Sequence, residues 1–204
     1  MIQGGLFDGS DPETIELPQA QLTLWRQFLE ATQTGSLFDA LERELAWEQS
    51  IIQVYGRPVS IPRLNAWYAD SGRDYAYSGT RLPRHDWHPL LAELKQKIEA
   101  LTGVRFNSVL ANLYRDGDDS VGWHSDDEPE LGRNPNIASL SLGVSRRFLL
   151  KRRKPPHLQH ELNLNDGSLL LMAGETQHFW YHAVPKQRRI RDARINLTFR
   201  YIRD

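Results

Sequence analysis

The sequence predicts a mainly β fold of the α+β class: a double-stranded β-helix (jelly roll) core with N-terminal helices packed outside it. Three observations predict it. From Asn107 onward the chain falls into short alternating segments separated by Asp, Gly, Asn and Pro turns. Helical spacing of apolar residues is confined to the part before Gly103. The 204 residues suit a single domain able to bury its own core without staples.

Residues 1–17, rich in Gly, Asp and Pro, read as a flexible arm, and 18–204 as one domain. Leu22, Trp25, Phe28 and Leu29 share a helical face, which predicts a helix from Pro18 to about Thr32. Ser36, with Asp39 three residues on, predicts the start of a second helix carrying Leu37, Leu41 and Leu45. Leu90, Leu91, Leu94, Ile98 and Leu101 predict a third from Pro89 to Leu101, stopped by Gly103. Strands are expected early at IIQVYG (51–56) and RLNAWYA (63–69). They then follow at SVLANLYR (108–115), IASLSLG (137–143), RRFLLKR (146–152), LQHELNL (158–164), SLLLMA (168–173), FWYHAV (179–184) and RINLTFRYI (194–202).

Cysteine is absent, so disulfides and thiolate metal sites are excluded and any metal must sit on His, Asp or Glu. No run approaches the roughly 18 apolar residues of a membrane span, and the first residues lack a signal-peptide pattern. The expectation is a soluble, intracellular monomer with no membrane partner, cytoplasmic in a bacterium and nuclear in a eukaryote. The net charge of −1 hides an asymmetry. Residues 1–100 carry 9 Lys/Arg against 14 Asp/Glu, and residues 101–204 carry 16 against 12. The later positive charge clumps in SRRFLLKRRK (145–154) and PKQRRIRDAR (185–194), which suits a polyanion or equally a solvated strand end.

The chemistry concentrates in GWHSDDEPELG (122–132). A solvated acidic loop explains the charge alone. His124 and Asp126, two apart on extended backbone, send their side chains to one side. With His182, 56 residues beyond Asp126, they make two imidazoles and a carboxylate, the facial set of non-haem Fe(II) oxygenases. His178, four before His182, lacks the Glu of a helical zinc motif and reads as a neighbour of the site or a surface residue. In RINLTFR, alternation puts Arg194, Asn196, Thr198 and Arg200 on one face and Ile195, Leu197 and Phe199 on the other. Either this is an outer, solvated sheet face, or two arginines inside a β-core call for an anion, which a dicarboxylate such as 2-oxoglutarate supplies. Asn112 and Tyr114 share a strand face and add hydrogen-bonding groups suited to the same ligand.

The ordered motifs NLYRDGDDSVGWHSDDEPEL, IASLSLG, GSLLLMAG, WYHAVP and RINLTFR resemble the AlkB family of Fe(II)/2-oxoglutarate nucleic-acid dealkylases, in the branch of human AlkB homologues two and three. The upstream block QVYGRPVSIPRLNAWYADSGRDYAYSG is similar to that branch's nucleotide-recognition region. The resemblance divides the domain into helices plus recognition region (18–104) and jelly-roll catalytic core (105–204). It implies Fe(II) on His124, Asp126 and His182, and 2-oxoglutarate on Asn112, Tyr114, Arg194 and Arg200, with Asn196 and Thr198 on the same wall. It implies substrate contacts at Asp127, Tyr75 and Tyr77, and a duplex-probing hairpin at Tyr55, Gly56 and Arg57. Tyr55 departs from the apolar wedge of the duplex-preferring member, and Trp123 stands where that branch carries a charged residue. The implied reaction is oxidative demethylation of 1-methyladenine or 3-methylcytosine in DNA, consuming 2-oxoglutarate and O2 and releasing succinate, CO2 and formaldehyde. The same site on RNA or protein, or a non-catalytic jelly-roll binding module, are the alternatives.

Overall fold

A computed structural model describes residues 11–54, 57–72, 76–77 and 80–203, and for 52–54, 76–77, 80 and 81 the backbone alone. The chain opens with a hairpin, β1 (Glu13–Leu17) and β2 (Ala20–Trp25), then α1 (Ala31–Glu44). Short strands follow: β3 (Ile51–Val54), β4 (Arg57–Ser60), β5 (Leu64–Ala69), β6 (Ala76–Tyr77), β7 (Thr80–Arg81) and β8 (Arg84–His85). After α2 (Pro89–Thr102) come β9 (Ser108–Tyr114), β10 (Val121–His124), β11 (Ile137–Gly143), β12 (Arg146–Arg152), β13 (Gln159–Leu164) and β14 (Leu169–Ala173). A single helical turn, α3 (Thr176–Phe179), leads into β15 (Trp180–Val184), and β16 (Arg194–Arg200) is the last strand.

Two sheets face each other as a jelly roll. The larger has the order β1-β2-β14-β11-β16-β9-β5-β8, the smaller β10-β15-β12-β13, while β3-β4 and β6-β7 are separate ribbons. Trp67, Leu110, Ile137, Leu170 and Met172 of the larger sheet meet Phe148, Leu150, Leu162, Trp180 and Val184 of the smaller one in the inner core. On its other face the larger sheet packs Ala111, Leu140, Leu142, Ile195, Leu197 and Phe199 against Leu41, Leu91, Leu94 and Ile98 of α1 and α2. The strands of the large sheet that lie under the helices are apolar on that side, and β16 can turn its polar residues only toward the inner space. A one-residue slip would exchange the two faces. It would take Ile195, Leu197 and Phe199 out of the core, at about 1.5–3 kcal/mol each.

The third expected helix is present and runs to Thr102. Its N-terminal Leu90 N–H is accepted by the His88 ring, and Gly103 closes it with φ 70°. The strand segments of the second half appear where alternation placed them. Two expectations are corrected. Pro18 to Thr32 is not a helix: Leu22 and Leu24 are buried on one side of β2, which pairs with β1 and β14, and Gln19 (φ 59°) makes the left-handed turn. The expected arm accordingly gives way at Glu13, where β1 begins; residues 1–10 lie outside the described residues. Ser36 does not cap the second helix. α1 starts at Ala31, and the Ser36 hydroxyl donates back to the Gln33 carbonyl within it.

Candidate active site

The inner face of β16 and its neighbours lines a cavity between the two sheets. His124 enters from β10 and His182 from β15, paired in register across the small sheet. Asp126 follows two residues after His124. One ligand atom from each of the three lies within 4.8 Å of the others. The imidazoles meet at an angle of 61° with centroids 4.2 Å apart, and Phe148 stacks on His182 at 5.3 Å. The Nδ1–H of His124 donates to the Gly122 carbonyl at 2.9 Å, which leaves Nε2 for a metal.

Asp126 is 1% exposed and held from three sides. Its backbone N–H donates to Gln177 Oε1 at 3.0 Å, and Oδ1 accepts from Arg200 Nη2 at 2.8 Å. Oδ2 is left facing His182 Nε2 at 3.9 Å. Burial alone would push this carboxyl up. Arg200 and the two imidazoles more than reverse that and hold it at about 2. Burial, with His124 alongside, holds the His182 imidazole down at about 3, hence neutral. Both groups thus stand in the deprotonated forms that bind metal.

Arg194 is 1% exposed, and burial pushes its guanidinium down to about 10. Nη2 donates to Ser141 Oγ at 2.8 Å and the guanidinium lies 5.3 Å from the Tyr114 ring, but Nε and Nη1 are buried without a hydrogen-bond partner among the described residues. Two unmet donors of a buried cation in a polar cavity are the signature of an anion's seat. A metal triad at one part of the cavity and this fork at another fit Fe(II) with a dicarboxylate.

Of the other expected residues, Asn112, Tyr114, Asn196, Thr198 and Arg200 all line the cavity. Asn196 spends its amide on Ser139, Leu140 and Thr198, so it braces the wall. Asp127 is exposed and paired with Arg153 Nη2 at 2.7 Å, outside the cavity lining. Arg57 is exposed on the β3–β4 ribbon. Tyr55, Gly56 and Tyr75 lie outside the described residues, and of Tyr77 only the backbone is described. His178 is not on a strand with His182. It lies within the turn of α3, exposed, with Nε2 3.0 Å from Asn134 Oδ1.

Three residues that hold the site escaped the sequence reading. Arg63 is buried, lines the cavity and donates from Nε to Asn112 Oδ1 at 2.8 Å, which turns the Asn112 amide nitrogen the other way. Gln177 fixes the Asp126 backbone. Arg146, also buried, sends its donors to the main-chain carbonyls of Asp116, Asp119 and Pro185 and so ties the two loops beside the cavity together. An arginine directly before an apolar strand was the only available signal for Arg63.

A double-sheeted β-helix with a His-Asp-His triad and a buried arginine fork in its mouth defines a non-haem iron oxygenase of the 2-oxoglutarate type. The chain belongs to the 2OG-Fe(II) oxygenase superfamily, whose profile matches residues 21–200 and whose name carries the iron and the co-substrate. Within it the relatives are AlkB proteins. The chain is 44% identical over 184 residues to alkB homolog 3 of Bos taurus, an alpha-ketoglutarate-dependent dioxygenase, covering 86% of this chain and 64% of that one. It is 41% identical over 192 residues to the Homo sapiens homolog 3, with 90% and 66% covered. To the Homo sapiens DNA oxidative demethylase ALKBH2 it is 38% identical over 180 residues, with 83% and 69% covered. The chain thus spans just under two thirds of the length of these two homolog 3 relatives. The solved structure of OsALKBH1, 17% identical, has the same fold, with a TM-score of 0.64 over 93% of this chain and all of that one. Among the described residues no helix is long and apolar enough to cross a membrane.

Proposed function

We propose that the protein is an Fe(II)/2-oxoglutarate-dependent dioxygenase that removes methyl groups from N-alkylated bases in DNA, 1-methyladenine and 3-methylcytosine above all. The observation that carries it is the His124–Asp126–His182 cluster in one cavity with the unmet guanidinium of Arg194. Relatives at 37–38% identity that are named DNA oxidative demethylase support the substrate class.

His124 and His182, through Nε2, and Asp126, through Oδ2, would hold Fe(II). When bound, the iron with 2-oxoglutarate and O2 supplies the oxidising power that hydroxylates the N-methyl carbon, after which formaldehyde leaves and the base is restored. Arg200 keeps Asp126 ionised and gives it one orientation. Arg194 would take the far carboxylate of 2-oxoglutarate through Nε and Nη1, with Tyr114 beside it, and Asn112 would offer its amide nitrogen. Phe148, Leu110, Met172 and Val184 keep water from the reacting end. The target atom sits on the pairing edge, so the base must leave its stack to reach the cavity. Tyr75, Tyr77 and Asp127 would contact that base, and Tyr55, Gly56 and Arg57 the strand around it. The protein acts as a monomer, with one site per chain.

The test is demethylation followed by mass spectrometry, with anaerobically iron-loaded protein and oligonucleotides carrying one 1-methyladenine or 3-methylcytosine. DNA and RNA, single-stranded and duplex, are compared. Methyl loss that disappears in His124→Ala and Asp126→Ala is expected. Succinate formation without methyl loss would keep the oxygenase and discard the substrate.

A further inference from the structure

We propose that the outer face of the four-stranded sheet is a docking track for single-stranded nucleic acid, on which Trp123 stacks the base next to the one in the cavity. The proposal rests on the dealkylase reading for what the cavity holds. His124 and His182 point inward, so the residues beside them point to the other face of the sheet. There Trp123 is 43% exposed, a large apolar surface to leave in water. Lys151 Nζ lies 4.8 Å from its ring, and Lys151 is the register partner of Tyr181. Arg153 lies over the Tyr181 ring at 4.4 Å. Two aromatics, each beside a cation, therefore stand on adjoining strands of one face.

The charge selects a polyanion. Glu161 is taken by Arg147 and Asp127 by Arg153. Lys151 has no carboxylate partner among the described residues, so with Arg147 and Arg153 set against Glu161 and Asp127 the face is net positive. An aromatic ledge between cations matches alternating bases and phosphates, the form in which single strands are held.

Topology supplies the route. β10 is the edge strand of the small sheet, so a chain leaving the cavity past His124 reaches the outer face by crossing one strand. Arg153 also donates to Ser125, which fixes the start of the track to the segment between His124 and Asp127. A base stacked on Trp123 is unavailable for pairing, so the face favours single strands over duplex.

The test measures anisotropy of labelled oligo(dT), alone and annealed to its complement, against the full chain and its Trp123→Phe, Trp123→Ala and Lys151→Gln variants. Trp123→Ala should weaken single-strand binding by at least about fivefold while duplex binding changes little, and Trp123→Phe should keep most of the affinity. Lys151→Gln should reduce the salt slope for the single strand by about 0.7. Oligo(dT) should quench indole fluorescence more in the wild type than in Trp123→Phe, a comparison that survives poor folding of the alanine variant. Equal quenching, equal loss for strand and duplex, or displacement by polyglutamate as effective as by oligo(dT) would each overturn the proposal. Demethylation that proceeds with no Trp123 dependence of binding would sink the track alone. Trp123-dependent binding without any demethylation would sink the dealkylase reading and leave the face as a nucleic-acid surface.

Discussion

Arg200 and Asp126 share a single hydrogen bond of 2.8 Å with both side chains almost wholly out of water, and it divides the work of the carboxylate. One oxygen is occupied by the guanidinium, and the other is left for the metal. Removing one member of such a pair leaves a buried charge unmet and costs about 3–5 kcal/mol. Arg200→Met in the apoprotein should lower the melting temperature by about 10 °C, and Arg200→Met with Asp126→Asn should recover part of the loss. Calorimetry of the two variants beside wild type checks this. A double variant no better than the single one would show that Arg200 stabilises by packing.

Arg194 inverts that expectation. Its charge has no carboxylate partner among the described residues, so an apolar side chain of similar volume suits the apoprotein at least as well. Arg194→Met should melt at the wild-type temperature or above it. It should also lose the stabilisation that 2-oxoglutarate gives the iron-loaded wild type, with affinity down on the order of 100-fold or more. Thermal shift against a 2-oxoglutarate titration reads both quantities. Retained stabilisation would place the far carboxylate elsewhere.

Acid should uncover Asp119. Burial works to raise this carboxyl, but three hydrogen bonds from Arg115, at 2.8–2.9 Å, more than reverse it and hold it below the usual aspartate range. A carboxyl depressed in the folded state stabilises above its unfolded pKa of about 4 and loses that contribution as pH falls through the folded value. Asp119→Asn should therefore be less stable than wild type at pH 7, and the gap should close as pH falls below the unfolded value and through the lower folded one. Denaturant melts across that range test it; a gap that stays constant with pH would rule the ion pair out as its source.

Gly117 is required for a steric reason. A Cβ there would lie 1.9 Å from the main-chain oxygen of Gln187. The two loops are joined at that point, Gln187 N–H donating to the Gly117 carbonyl at 2.7 Å and Gly117 N–H to that of Ile190 at 3.1 Å. Gly117→Ala should cost about 3 kcal/mol, near the upper end for overpacking, and lower the melting point by about 5 °C or more. The loops it separates flank the cavity, so 2-oxoglutarate affinity should fall with it.

The sequence shows the catalytic half of this fold more fully than its opening. β16 was legible because its polar and apolar residues alternate without a break, and only one face could meet the helices. The metal triad was legible from His-x-Asp and a later histidine. The β1–β2 hairpin was not, because Leu22, Trp25, Phe28 and Leu29 satisfy a helical period while Ile15, Leu22 and Leu24 satisfy a strand. In so short a window the choice is made by pairing with β14, which is 144 residues beyond Trp25 at its nearest register partner, Leu169. Arg63, Arg146 and Gln177 escaped for a related reason. Each acts through a main-chain or amide group whose position is set only once distant strands have paired.

The place of β16 in the sheet also orders events at the ribosome. The strand with both arginines is made after residue 193, yet it lies between β11 and β9, near the centre of the eight-stranded sheet. The large sheet therefore cannot close around an incomplete nascent chain, and Asp126 has no Arg200 to orient it until that strand inserts. The oriented Asp126–Arg200 pair therefore belongs to the last step of sheet assembly and to no earlier intermediate.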